Sequence, residues 1–521
     1  MKSIRLQFLF LFAFAAGAGA QSTFNKLITK ASGTFTYHSN HNTIPTNSGG
    51  YAFAESNGND AYLGVMDKKF NLLWARNINV QNNHKSSGFS VAQSTADSSY
   101  CMIGVTSDPS RPEYDLLVSR IKSNGDLIDT KTYLYGSSSG GFSKILALPS
   151  GKFMIGMDNS ANSIGLMLMN KKGAITNVQN VTYDGALFLL FADMIATNDG
   201  GYMLTGNVGY NYGLGQRDIF CIKLNSSLGI EWSKFYATGN TEEVSGIIQT
   251  KDGGYFMFGY YQQSGPDTRS RLIKISKNGN VQWNKVYAFR SNGFPFSAVQ
   301  NKDRSYTLAG FDVFNVSNTG DFQWSSNYNY TSSTNPIIPT PDKGYVFFSQ
   351  YNSTSFNIVK TDSVGKTCNG FNQSLFTQLT DSVTVQDKIF TTSNGSIVSI
   401  SSGSVFNAAP VSSTFLCNNN VITAGEPESA NVTQKQLLSF EATAYPNPAK
   451  NILILSINHP AADKLNLTIT GMEGRIIKTQ FIELTAGTNK KLIDVSGFAK
   501  GVYILKLTSV SGTYSLKFIK E

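Results

Sequence analysis

Histidines are the first residues to consider for chemistry, because the chain has only four of them. His38 and His41 are three residues apart in TYHSNHN, a spacing that could serve a metal ion. No Cys, Asp or Glu lies close to this pair in the sequence. We therefore interpret the pair as loop residues, and the sequence predicts no metal site and no cofactor.

Aspartates recur at the start of apolar, strand-like segments, as Asp60, Asp115 and Asp218. One carboxylate per repeat could line a ring and bind a cation, or each could cap a turn by accepting backbone N–H groups. We favour the capping role. No Gly-x-Ser-x-Gly elbow stands in a strand-to-helix context, and no motif pairs two carboxylates. The sequence therefore predicts no catalytic residue.

Tyrosines in polar loops are the remaining candidates for a binding site. Tyrosine rings stack on sugar faces and make adaptable interface contacts, and loops on a rigid scaffold often carry binding. The alternative is that these rings are half-buried against neighbouring repeats. The candidates are Tyr210, Tyr212, Tyr260, Tyr261, Tyr328 and Tyr330.

An internal repeat predicts the scaffold that positions these loops. A turn, an aromatic residue and an apolar run recur seven times, roughly fifty residues apart. In the copy at 244–288, the pattern predicts four short antiparallel strands joined by Gly-rich turns. This pattern is typical of a β-propeller blade. The aromatic markers are Tyr51, Tyr100, Phe153, Tyr202, Tyr255, Tyr306 and Tyr345.

A second marker occupies the fourth strand of the repeat, where all four tryptophans of the chain lie. We interpret these rings as structural wedges between adjacent blades. Copies two and three hold Asp129 and Asn177 at this position. The tryptophans are Trp74, Trp232, Trp283 and Trp324.

The amino-terminal segment TFNKLITK matches the fourth strand that the last repeat lacks, with Phe24 at the tryptophan position. A strand borrowed from the other terminus would close the ring and leave no open sheet edge. We therefore predict an all-β, seven-bladed β-propeller over 21–368, closed by the N-terminal strand.

The first twenty residues resemble a secretory signal peptide, with a basic start, an apolar centre and Ala18-Gly19-Ala20 at the end. No later segment is apolar for long enough to span a membrane. The formal charge is +9, but its basic residues are scattered, whereas nucleic-acid binders concentrate them. We predict an exported protein that binds no nucleic acid.

Export permits disulfides. Cys101 and Cys221 lie inside apolar strands and are expected in the core, whereas Cys368 and Cys417 flank a polar insert. We predict that Cys368 and Cys417 form a disulfide that staples a β appendage at 369–418. Residues 419–440 are polar and patternless, and they are predicted to form a linker.

Residues 441–521 have the strand pattern of a small Ig-like β-sandwich. They resemble the type A C-terminal sorting domain of the Bacteroidetes type IX secretion system. The resemblance rests on Pro446-Asn447-Pro448 and on Gly501 and Tyr503 in GVYIL. It implies handling by the type IX secretion machinery, cleavage in the linker, and release or attachment at the outer cell surface.

We thus expect a secreted or cell-surface propeller that acts as a binding or adhesion module for a glycan or a protein partner. The alternative is a secreted polysaccharide-active hydrolase or lyase with its site at the mouth of the propeller channel. Carboxylates at that mouth would favour the enzyme, and an aromatic, uncharged mouth would favour binding. The oligomeric state stays open.

Overall fold

The computed structural model describes residues 23–30, 42–419 and 441–521, with short gaps inside the last two ranges. It consists of strands apart from one 3-10 helix at Pro149–Gly151, and it divides into units at 1–422 and 423–521. The signal peptide and residues 420–440 of the linker lie outside the described residues. The gaps are 58–59, 81–84, 108–113, 138–142, 161, 210–216, 238–239, 263–267, 290–293, 311, 329–335, 353–354, 369–375, 380–381, 395–396, 403, 408–410, 460–462, 472–475 and 510–511.

Seven antiparallel sheets, here called blades, make up the first unit. Each blade follows the sequence repeat, with tight turns between strands one and two and between strands three and four. The N-terminal strand is β1 Thr23–Lys30. Blade 1 contains β2 Thr43–Pro45, β3 Tyr51–Asn57, β4 Asp60–Met66 and β5 Leu72–Asn79. Blade 2 contains β6 Lys85–Gln93, β7 Tyr100–Ser107, β8 Tyr114–Ile121 and β9 Leu127–Ser137. Blade 3 contains β10 Ser143–Ala147, β11 Phe153–Ser160, β12 Ser163–Met169 and β13 Ile175–Thr182.

The remaining blades have the same strand order. Blade 4 contains β14 Phe188–Ala196, β15 Tyr202–Gly209, β16 Arg217–Leu224 and β17 Ile230–Ala237. Blade 5 contains β18 Thr241–Gln249, β19 Tyr255–Gln262, β20 Thr268–Ile275 and β21 Val281–Phe289. Blade 6 contains β22 Pro295–Gln300, β23 Tyr306–Gly310, β24 Asp312–Val316 and β25 Phe322–Asn327. Blade 7 contains β26 Ile338–Pro339, β27 Tyr345–Asn352 and β28 Ser355–Thr361.

The strand β1 supplies the fourth strand of blade 7, as the sequence predicts. It pairs antiparallel with β28, so that Phe24 faces Lys360 across the ladder. Seven hydrophobic clusters then fill the seven contacts between neighbouring blades, here called seams, including the seam between blades 7 and 1. Burial of apolar side chains at every seam closes the ring.

The polar segment after blade 7 is a belt around the propeller rather than a separate appendage. Its strands add a fifth strand to blades 5, 4, 3, 2, 1 and 7, in that order. The belt therefore runs opposite to the blade order, and its last strand covers the outer edge of β1. The belt strands are β29 Phe376–Leu379, β30 Thr384–Asp387, β31 Thr391–Asn394, β32 Val398–Ser402, β33 Ser404–Asn407 and β34 Val411–Asn419.

Apolar side chains anchor the belt at three successive seams. Val383 contacts the core between blades 4 and 5, Phe390 the core between blades 3 and 4, and Ile397 the core between blades 2 and 3. These anchors are seven residues apart, because each belt unit contains one short strand and the crossing to the next blade. The belt thus joins the outer edges of neighbouring blades.

The tryptophan position lies at the seams. The indole of Trp283 donates from Nε1 to the carbonyl oxygen of Asn318 in the next blade at 2.9 Å. It lies so close to the turn of that blade that a Cβ on Gly320, whose φ is +81°, would come within 2.9 Å of the ring. Blade 7 repeats this contact with phenylalanine, because Phe24 packs on the turn residue Phe70 at 4.9 Å between ring centroids.

An ion pair replaces the indole at the seam between blades 2 and 3. Asp129 occupies the tryptophan position and binds the guanidinium of Arg120, with 2.7 Å between Nε and Oδ1. Arg120 in turn covers Gly173 of the next blade and donates to the carbonyl oxygen of Lys171 at 2.9 Å. A flat guanidinium held by a carboxylate thus fills the place of a flat indole ring.

The second unit contains two sheets, ordered β35-β36-β39 and β38-β37-β40-β41. Apolar side chains from both sheets share one core, as expected for a β-sandwich. Its strands are β35 Glu441–Tyr445, β36 Ile452–His459, β37 Asp463–Gly471, β38 Ile476–Leu484, β39 Gly487–Asp494, β40 Gly501–Ser509 and β41 Gly512–Lys520.

The cysteines fall into two groups. Cys101 and Cys221 are free and fully buried, and burial raises the pKa of the Cys221 thiol to about 12. Cys368 is disulfide-bonded. The side chain of Cys417 lies outside the described residues, so its pairing with Cys368 stays a prediction.

Candidate functional site

The central channel is a cavity lined by residues on or beside the innermost strand of all seven blades. Its volume is about 510 Å³, and most of its wall is aliphatic. Apolar side chains recur at this position because the first strand of each blade has one face toward the channel. Representative wall residues are Ile44, Val91, Ile145, Ile195, Ile247 and Ile337.

Among the described residues of this wall, Lys144 and Asp193 are the charged ones. They form an ion pair, with 2.5 Å between Nζ and Oδ1, and the Asp193 side chain is only 4% exposed. Asp193 Oδ1 also accepts from its neighbour's backbone, and Oδ2 accepts from the N–H of Ile247 at 3.0 Å. Both carboxylate oxygens are therefore occupied, and Asp193 joins blades 3, 4 and 5.

Serine performs the same bridging role at equivalent bulges in other blades. Ser90 in blade 2 accepts from the N–H of Ile145 at 3.3 Å, and Ser297 in blade 6 accepts from the N–H of Ile337 at 2.9 Å. Each bulge shifts the register between the first and second strands. A hydroxyl group is thus enough to bridge neighbouring blades at this bulge. Blade 4 has a carboxylate at the same position, and Asp193 pairs there with Lys144.

An aromatic chain leads from the second strand of blade 5 to the channel. The ring of Tyr260 lies 4.9 Å from that of Phe294, which lies 4.7 Å from that of Phe296 in the channel wall. All three side chains are half-buried. Burial and a hydrogen bond to Glu243 raise the pKa of Tyr260, so its hydroxyl is neutral. We call these three residues the aromatic mouth.

Two other predicted binding tyrosines, Tyr261 and Tyr328, do not share this position. Tyr261 is 4% exposed and lies beneath the guanidinium of Arg271, 4.6 Å from the ring centroid. Tyr328 is half-buried against Phe347 and donates its hydroxyl to the carbonyl oxygen of Gly365. Tyr210, Tyr212 and Tyr330 lie outside the described residues.

The repeated aspartates at the third strand do not gather around the channel. Asp60 accepts from Nδ2 of Asn79 on the adjacent strand at 2.5 Å. Asp312 makes the equivalent contact with Asn327 at 2.8 Å. Within the described part of the chain, no three His, Cys, Asp or Glu residues are close enough to hold a metal ion. His38 and His41 lie outside that part.

Asp158 is a buried carboxyl at the seam between blades 3 and 4. Its Oδ1 accepts from the N–H of Phe191, whereas Oδ2 has no hydrogen-bond partner among the described residues. Burial raises the pKa of this carboxyl to about 7. Asn207, at the same position in blade 4, accepts from the N–H of Val244 at 2.8 Å without carrying a charge.

This carboxyl predicts a pH-dependent stability. The folded state binds the Asp158 proton more tightly than the unfolded chain does, because an aspartate carboxyl in an unfolded chain has a pKa of about 3.9. Its contribution to stability is therefore lost as the pH rises from about 4 through about 7. Asp158→Asn should raise the free energy of unfolding by about 1–3 kcal/mol at pH 8 and much less at pH 5. Urea denaturation at both pH values checks this, and an equal effect at both would contradict it.

The Pro446-Asn447-Pro448 turn of the second unit is tied to β41. Asn447 Oδ1 accepts from the N–H of Ile519 at 2.8 Å, and its Nδ2 donates to the carbonyl oxygen of Lys517 at 3.2 Å. The bonds before Pro446 and Pro448 are cis. Tyr503, two residues after Gly501, donates its hydroxyl to the carbonyl oxygen of Ala499 at 2.7 Å. The predicted sorting motif thus shapes one end of the sandwich.

A family model identifies this unit. Residues 443–521 match the secretion system C-terminal sorting domain. The chain ends in a type IX sorting domain. The protein carrying this sorting domain is therefore secreted or attached to the cell surface, and the type IX secretion machinery handles it. None of the curated proteins compared with the chain matches it.

Solved structures similar to the chain include several with low identity. The WD40 β-propeller domain of Doa1 has a TM-score of 0.41 and 9% identity over 64% of this chain and 97% of that chain. A PL25 ulvan lyase bound to a saccharide has a TM-score of 0.41 and 7% identity over 64% and 94%. Drosophila Plexin A in complex with Semaphorin 1b has a TM-score of 0.40 and 7% identity over 65% and 88%. Among the described residues, no helix is long and apolar enough to cross a membrane.

Proposed function

We propose that the propeller is a binding module that receives an apolar segment of a protein partner in its central channel. The observation that supports this best is the aromatic mouth, which continues into an aliphatic wall. Concave, mostly apolar sites with a few polar groups are typical of binding pockets. Aromatic rings at the entrance bury a large area at a low entropic cost.

The charges in the channel favour binding over hydrolysis or lysis of a polysaccharide. A general base needs a carboxylate oxygen that can accept a substrate proton. Both oxygens of Asp193 already accept hydrogen bonds, from Lys144 and from two backbone N–H groups. Lys144 is paired in return, so the wall offers a ligand mainly apolar surface.

The export route completes the proposal. Removal of the signal peptide would leave a chain that begins at Gln21, and cleavage within 425–442 would separate the propeller from the sorting domain. The belt would stay with the propeller, because its last strand ends at Asn419. The predicted Cys368–Cys417 disulfide would tie the end of blade 7 to the end of the belt.

The test selects, from a random peptide display library, the peptides that bind the full chain. The same chain is also screened against an array of extracellular glycans. We expect enriched peptides to be rich in apolar residues. Phe296→Lys, which places a charge at the aromatic mouth, should weaken the best peptide at least tenfold. Leu73→Lys is the matched control, because Leu73 is 58% exposed and lies outside the channel.

Three results would overturn the proposal. Equal losses in both variants would mean that charge anywhere weakens binding. Glycan binding that Phe296→Lys abolishes would make the channel a sugar site. New reducing or unsaturated sugar ends in the array would instead support a polysaccharide hydrolase or lyase.

A further inference from the structure

A second cavity lies at the seam between blades 5 and 6, away from the central channel. Its volume is about 250 Å³, smaller than the roughly 300 Å³ at which pockets for drug-sized ligands begin. We call it the 5–6 seam pocket. Residues that line it include Asp252, Lys274, Gln282, Trp283, Arg304 and Tyr306.

Arg304 lines this pocket from the turn between the first two strands of blade 6, at a backbone position that favours glycine. Its φ is +72°, in the left-handed region that costs an L-residue steric strain. Glycines with positive φ occupy the equivalent turn position in four other blades, as Gly49, Gly151, Gly200 and Gly253. A strained residue at a position that most copies give to glycine points to a role for its side chain.

The guanidinium of Arg304 is available to a ligand. Its backbone is fixed, since its N–H donates to the carbonyl oxygen of Asn301 and its own carbonyl accepts from Gln300. Among the described residues, its side chain makes no hydrogen bond or ion pair. Arg304 is exposed, so the group can meet an incoming molecule without breaking a contact.

The other charges of the pocket cancel. Lys274 is buried and pairs with Asp252, with 2.9 Å between Nζ and Oδ2, and it also donates to Oε1 of Gln282 at 2.7 Å. The amide nitrogen of Gln282 has no partner among the described residues. One unpaired positive charge and one free amide donor therefore face the cavity, beside the half-buried ring of Trp283.

We propose that the 5–6 seam pocket binds one uronic acid residue of an acidic polysaccharide, with its carboxylate on Arg304. A guanidinium matches a planar carboxylate with two parallel hydrogen bonds. The exposed part of the Trp283 indole provides an apolar surface for the sugar ring, and the Gln282 amide can donate to a hydroxyl. The site is independent of the channel, so it goes beyond the function proposed above.

The test measures calorimetric binding of a pectin-derived oligogalacturonate and of a neutral oligosaccharide of equal length to the full chain. We expect only the acidic oligosaccharide to bind. Arg304→Gly should weaken this binding at least tenfold. The melting temperature of this variant should be no lower than that of the parent chain. Relief of the strained φ supplies that stability, so the loss could not be attributed to misfolding.

Lys343→Gly is the matched control. Lys343 has a φ of +69° at the same turn position of blade 7, but the blade before it has Asn315 where blade 5 has Lys274. This variant should keep full binding. Equal losses in the two glycine variants, or full binding by Arg304→Gly, would overturn the proposal.

Two further binding measurements identify the ligand and distinguish the 5–6 seam pocket from the channel. A sulfated neutral oligosaccharide that binds more tightly than the uronate would overturn the carboxylate assignment. Phe296→Lys should leave uronate binding unchanged, and a loss in that variant would place the sugar in the channel instead. Weaker uronate binding at higher salt is expected, because the contact is ionic and exposed.

Discussion

Phe390→Ala should lower the free energy of unfolding by about 3–5 kcal/mol, because it removes a buried aromatic side chain and leaves a cavity. Phe390 is only 5% exposed. Its ring lies 5.3 Å from Tyr183, 5.4 Å from Phe220 and 5.7 Å from Phe235, between ring centroids. Denaturant unfolding of the full chain, followed by tryptophan fluorescence, measures the effect on the propeller.

The neighbouring residue provides a matched control for this prediction. Ile389 is 85% exposed, so Ile389→Ala should change the stability by less than about 0.5 kcal/mol. If the two variants unfold alike, the belt does not stabilise the propeller. If only Phe390→Ala is destabilised, the belt is part of the cooperative unit despite its polar sequence.

Asp193→Ala should also cost about 3–5 kcal/mol, because it leaves the charge of Lys144 without its partner in a largely apolar wall. It also removes the acceptor for the N–H of Ile247. Thermal and denaturant unfolding of the same chain would measure the loss. The channel should lose its shape at the contacts among blades 3, 4 and 5.

Two further variants separate the ionic and the backbone parts of this effect. Ser90→Ala removes only the neutral acceptor at the equivalent bulge, and it should cost about 1 kcal/mol. Adding Lys144→Met to Asp193→Ala should recover part of the loss, since no unpaired charge then remains. A double variant that is less stable than Asp193→Ala alone would contradict the ion-pair explanation.

Local pattern was enough to predict the ring and its closure. Phe24 could be placed in blade 7 because the aromatic position and the alternation of its strand match those of the other fourth strands. Its contact with Phe70 follows from the same repeat. The turn before the tryptophan position also recurs, because Leu228 in blade 4 has a φ of +66° at the left-handed position that Gly279 and Gly320 occupy in blades 5 and 6.

The belt was not recognised as part of the propeller because five of its six strands have only four or five residues, most of them polar. An isolated strand of four residues such as Thr391–Asn394 has no hydrophobic face that a period-2 pattern could reveal. The signal was instead the seven-residue spacing of Val383, Phe390 and Ile397. That spacing has meaning only once a ring of blades is available to set the distance between anchors.

The candidate sites depended on contacts between blades, which no local motif records. Lys144 and Asp193 are in different repeats, and so are Tyr260 and Phe294. Arg304 could be seen in the sequence as the one arginine at a turn position usually occupied by glycine. Its pocket could not, because half of the lining comes from the preceding blade.

The position of the last belt strand has a mechanical consequence. A pull on the chain beyond Asn419 acts first on the β34–β1 ladder, whose register runs from Thr23↔Asn419 to Lys30↔Val411. The other edge of β1 is held by β28. The predicted Cys368–Cys417 disulfide would limit the rupture to the pairs Thr23↔Asn419 and Phe24↔Asn418, because the load would then pass through the disulfide to the end of blade 7. The remaining pairs of β34 with β1 would be shielded from the pull.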